Sequence, residues 1–68
     1  MASNGKPSTA QRCLLESVAR IGTTNPAAIF ADCGMRGAAL SRCLHACRSR
    51  GWIDTRGHIT AAGRAVIS

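Results

Sequence analysis

The sequence predicts a mainly α-helical domain with a small β-hairpin: three helices, the hairpin, and a short C-terminal helix. Three observations predict it. Apolar residues recur at helical spacing in three stretches between residues 8 and 50. Each stretch is bounded by cap-forming residues or glycine. The period then falls to about two between Trp52 and Thr60, around Arg56-Gly57. With 68 residues the chain holds one domain, placed at 8–68 behind an aperiodic polar arm, 1–7.

Ser8-Thr9-Ala10-Gln11 has the form of a capping box, in which serine and glutamine satisfy free amides reciprocally. Leu14, Leu15, Val18 and Ile21 follow at helical spacing and Gly22 is a natural stop, so the first helix covers about 9–21. Arg12, Glu16 and Arg20, four apart, form a solvated charged stripe. Thr23-Thr24 is a candidate stub of strand. Asn25 caps a second helix whose first position takes Pro26, where a missing amide costs nothing. Ile29, Phe30 and Cys33 supply its buried side and Gly34 ends it.

The third helix covers about 36–50. Leu40, Leu44 and Cys47 line one face, with Cys43 at its edge. At about 100° per residue, Ala38, Ser41, Arg42, His45 and Ser49 gather on the other. Gly51 closes the helix. Trp52-Ile53-Asp54-Thr55 and His58-Ile59-Thr60 read as the two strands of the hairpin, and Trp52 as a cover for the core. Thr60 then caps a last helix through Ala65, Val66 and Ile67.

Composition bounds the function. Nine Lys and Arg against three acids give a net charge of +6, and eight of the nine are Arg, whose planar fork suits phosphate and guanine edges. So basic a domain suits a polyanion, because neutralising phosphates releases counterions. Two aromatic residues, Phe30 and Trp52, leave no platform for stacked bases. No apolar run approaches a membrane span, and the polar first residues lack the apolar stretch of a signal peptide, so the expected compartment is the cytoplasm. Glu16, Asp32 and Asp54 fall on separate elements and no Gly-rich phosphate loop is present, so neither an enzyme nor a cofactor is expected.

The four cysteines, Cys13, Cys33, Cys43 and Cys47, lie among apolar residues and read as buried free thiols. A disulfide between Cys43 and Cys47, four apart on one helix, has poor geometry. A zinc site with His45 and His58 is the alternative. It lacks a Cys-x-x-Cys pair, and His45 should point away from its neighbouring cysteines, so no metal is expected.

Four segments in order carry a resemblance: Ala31-Asp32-Cys33-Gly34-Met35, Leu40-Ser41-Arg42-Cys43-Leu44, Arg50-Gly51-Trp52-Ile53, and Ile59-Thr60-Ala61-Ala62-Gly63-Arg64-Ala65. Over residues 8–68 the chain resembles the winged helix-turn-helix family, and its last segment is similar to the L-T-x-x-G-R-A stretch of MarR-type repressors. The resemblance implies that helix 36–50 enters the major groove of double-stranded DNA, with Arg36, Gly37, Ala38, Ser41, Arg42 and His45 at the groove. It also implies that a wing at 53–60 lays Arg56 and His58 on the backbone. The expected function is that of a small DNA-binding protein, a transcriptional regulator or a phage or mobile-element factor. The rival is a winged-helix module for a protein partner, marked by an apolar patch around Met35, Ala38 and Ala39. Two departures stand out. Met35-Arg36-Gly37 offers no Ser or Thr cap to the third helix, and no long dimerisation helix follows the wing, which leaves a monomer or a homodimer through another surface.

Overall fold

A computed structural model describes residues 6–68. Its element order is α1 (Thr9–Ile21), α2 (Pro26–Cys33), α3 (Gly37–Ser49) and α4 (Ala61–Ile67). Of the expected arm 1–7, residues 1–5 lie outside the described residues, and Lys6 is exposed.

Local chemistry sets the helix starts. Ser8 Oγ accepts from the Gln11 amide at 3.1 Å while Gln11 Oε1 accepts from the Ser8 amide at 2.9 Å, which closes the capping box. Asn25 Oδ1 accepts from the amides of Ala27 and Ala28, and Thr60 Oγ1 from that of Gly63. Among the described helices only α3 begins without a side-chain cap: Arg36 is fully extended and makes no such bond.

Helix α1 is the hub, and α2, α3 and α4 each pack on it. Leu14, Leu15 and Val18 of α1 meet Ile29 of α2, Leu40 and Cys47 of α3, and Trp52 and Ile53 beyond it. Trp52 is buried and covers the core as expected. Each fully buried aliphatic side chain contributes roughly 1.5–3 kcal/mol.

The β-hairpin predicted for 52–60 does not form, and with it goes the wing. Among the described residues there is no strand, only an isolated antiparallel bridge between Ile53 and Ile59. Two amides do bond across it, Asp54 to the His58 carbonyl and Thr60 to the Trp52 carbonyl, each at 2.9 Å, but the reciprocal donors have other partners. On the inner side, the Trp52 amide donates to the Cys47 carbonyl of α3 rather than to Thr60, whose side chain caps α4. On the outer side, Asp54 Oδ1 accepts from the amides of both Arg56 and His58 at 2.9 Å. One residue pair is left for a ladder. The stub of strand at Thr23-Thr24 is likewise absent; Thr23 Oγ1 accepts from the Asn25 amide instead.

Two glycines permit the close approaches that hold this half together. Gly57 has φ of 87°, and a Cβ there would run into the Thr24 side chain, so the loop tip rests on the α1–α2 connection. Gly63 lies buried where a Cβ would collide with the Trp52 carbonyl and stand 2.7 Å from Ile59 Cγ1. Phe30 also departs from expectation: among the described residues it is the exposed large hydrophobic, at 48%, while Ile29 beside it is fully buried. Phe30 is turned about 100° from Ile29 on the helix, whereas Cys33 stays within about 40°.

Candidate nucleic-acid interface

Burying Leu40 and Cys47 against α1 turns the opposite side of α3 outward, and Ala38, Ser41, Arg42, His45 and Ser49 are all exposed there. Arg36 and Gly37 open the helix, also exposed, with Gly37 in a left-handed conformation at φ of 66°. The six residues expected at the groove thus occur together on one end and one face of α3. Arg56 and His58 are exposed on the 54–58 loop, and among the described residues no hydrogen bond or ion pair ties their side chains to α3. Their expected setting, the tip of a hairpin, is replaced by a turn built on the Asp54 carboxylate.

Charge separates sharply across the fold. All three acids are engaged away from α3. Asp32 accepts from Arg20 Nη2 and from Ser17 Oγ, each at 2.6 Å, and from Arg20 Nε at 3.1 Å. These bonds, Arg20 first and Ser17 second, hold its carboxyl down at about 2. Glu16 pairs with Arg12 at 3.7 Å. Asp54 is spent on amides, and the His58 amide first, then that of Arg56, pulls its carboxyl below the usual range. Arg42, Arg48 and Arg64 are exposed with no acidic partner among the described residues, and Arg56 is exposed with the charge of Asp54 nearby.

The charged stripe expected on α1 is only partly made. Arg12 keeps Glu16, but also donates to the Val66 carbonyl at 3.0 Å and the Ile67 carbonyl at 3.5 Å, closing the end of α4. Arg20 turns across to Asp32 on α2. That pairing joins residues twelve apart in sequence, which helical periodicity does not reveal.

Arg36 is held differently. Its guanidinium carbon lies 5.2 Å from the centre of the Phe30 ring, across the turn from α2 to α3. Arg50 lies 5.0 Å over Trp52 in the same manner.

All four thiols are free. Burial pushes Cys47 up to about 11, and Cys13, half-buried beside Cys33, is also raised, chiefly by burial. Among the described residues no group of three or more His, Cys, Asp and Glu is placed to hold a metal ion. No helix there is long and apolar enough to cross a membrane. No family model, no curated protein and no solved structure matches this chain.

Proposed function

We propose that the chain is a small DNA-binding protein of helix-turn-helix character, acting in the cytoplasm as a transcriptional regulator or as a phage or mobile-element factor. In this reading α3 lies in the major groove of duplex DNA, with Arg36, Gly37, Ala38, Ser41, Arg42 and His45 toward the bases. The loop carrying Arg56 and His58 lies toward the phosphates. One observation carries the reading. The exposed face of α3 holds unneutralised arginine while every acid of the chain is engaged elsewhere. Small residues at the start of α3 let its backbone come close to a groove floor, and no carboxylate on that face repels phosphate.

Binding of a random-sequence duplex, titrated against salt, tests it. Neutralising about five phosphates gives a log–log slope of roughly −4 to −5. Failure to bind duplex at low salt overturns the proposal.

Exposed Phe30, with Ala38 and Ala39 also exposed, favours a second reading, a protein partner seated at the α2–α3 turn. Such a partner binds with a shallow salt dependence, and duplex DNA does not compete with it.

A further inference from the structure

Phe30 contributes little to the core, yet it is a large ring displayed to solvent beside the uncapped start of α3. What it touches is the guanidinium of Arg36. A guanidinium stacked on a ring uses its face and leaves its N–H donors in the plane, free at the edge. The long arginine side chain, which otherwise samples many rotamers, is thereby biased toward one orientation before any ligand arrives. That ordering lowers the entropy cost of a bidentate contact.

We propose that Phe30 is a positioning residue that presents Arg36 to the O6 and N7 atoms of a guanine in the major groove. The inference rests on the DNA-binding reading above and names the base contact within it. Arg36 stands at the amino end of α3, the part of a groove-docked helix that reaches base edges. Gly37 and Ala38, which follow it, carry no side chain large enough to hold the fork away. No acid engages Arg36 among the described residues. Asn, Gln, Asp and Glu are absent from α3, so its face holds neither the amides that read adenine nor the carboxylates that accept from cytosine. Guanine is the base for which this end of the helix has a matching fork.

The test uses the whole chain. Duplexes are selected from a random pool with the unaltered protein, then bound to Arg36→Ala, Arg36→Lys, Phe30→Ala and Phe30→Tyr variants, with thermal melts of each. Selection is expected to fix at least one guanine, and 7-deazaguanine at that position is expected to weaken binding roughly tenfold. Arg36→Ala abolishes that sensitivity. Arg36→Lys retains the salt slope but loses most of the preference, because an ammonium has no planar fork. Phe30→Ala reduces the preference several-fold with an unchanged melt, and Phe30→Tyr restores it.

Arg36→Ala that keeps the guanine preference while the salt slope shrinks by about 0.9 makes Arg36 a phosphate clamp and overturns the inference. So does a Phe30→Ala variant that reads guanine as the parent does, or a selection that fixes no base. In each of these outcomes salt-dependent duplex binding persists and the DNA-binding reading stands. Loss of all duplex binding by the parent protein removes both.

Discussion

Helices α1 and α3 are the same length and each carries two arginines, yet the side chains do opposite things. On α1, Arg12 and Arg20 are turned back onto the protein. One closes the carbonyl end of α4, and the other locks the Asp32 carboxylate of α2. On α3, Arg42 and Arg48 point to solvent and meet no acid. The difference lies in the placement of acids and open carbonyls, not in the arginine. Guanidinium groups within reach of acceptors become part of the scaffold, and those without remain solvated. The arginines of one helix are spent on the scaffold, and those of the other stand open to solvent.

Breaking the hub has the largest expected effect. Leu15→Ala empties a fully buried site on α1 and should cost about 2–5 kcal/mol, seen as a much lower melting temperature by circular dichroism. Duplex binding is expected to disappear with the fold. A variant that melts early yet binds as well as the parent would show that α3 works without its hub.

Arg42→Ala comes next and touches only the outward side. It should weaken duplex binding about tenfold and flatten the salt slope by about 0.9, while the melt moves by less than about 0.5 kcal/mol. If it unfolds the domain, the outward assignment of that face is wrong.

Ser17→Ala gives the reverse pattern. Removing the buried hydroxyl that donates to Asp32 should cost about 1 kcal/mol of stability, with duplex affinity and salt slope unaltered. Altered binding would couple the two helices more tightly than their contacts suggest.

The smallest effect appears in acid. Asp32 is held down at about 2, against an ordinary value of 3.8, so the native state favours its charged form. The stabilisation is therefore full above about pH 4 and is lost as pH falls toward 2. Asp32→Asn should be less stable at neutral pH and should show a shallower loss across that window. An identical acid profile for parent and variant would remove the Arg20–Asp32–Ser17 cluster from the account of stability.

What the sequence disclosed and what it hid follow one physical division. The helix starts at Ser8, Asn25 and Thr60 depend on side chains bonding amides two or three residues away, and each was readable from its own few residues. The outward face of α3 was readable because Leu40 and Cys47 fix which side is buried. The hairpin was misjudged where local bonding overrode alternation. The Asp54 carboxylate takes the His58 amide and the end of α3 takes that of Trp52, so each flanking pair makes one of its two bonds and Ile53 and Ile59 form a single bridge. Phe30 was misplaced because apolar character alone put it inside, although its angle from Ile29 on so short a helix already turned it aside. The fates of Arg12 and Arg20 depend on partners brought near only by folding.

Gly63 has a consequence for how this chain tolerates change. With the backbone of Trp52 occupying the space of any side chain, the position admits a hydrogen and nothing larger without displacing α4. In a library that samples every amino acid at 61–65, the exposed positions Ala61, Ala62, Arg64 and Ala65 should accept most replacements, and position 63 should retain glycine alone among the functional survivors.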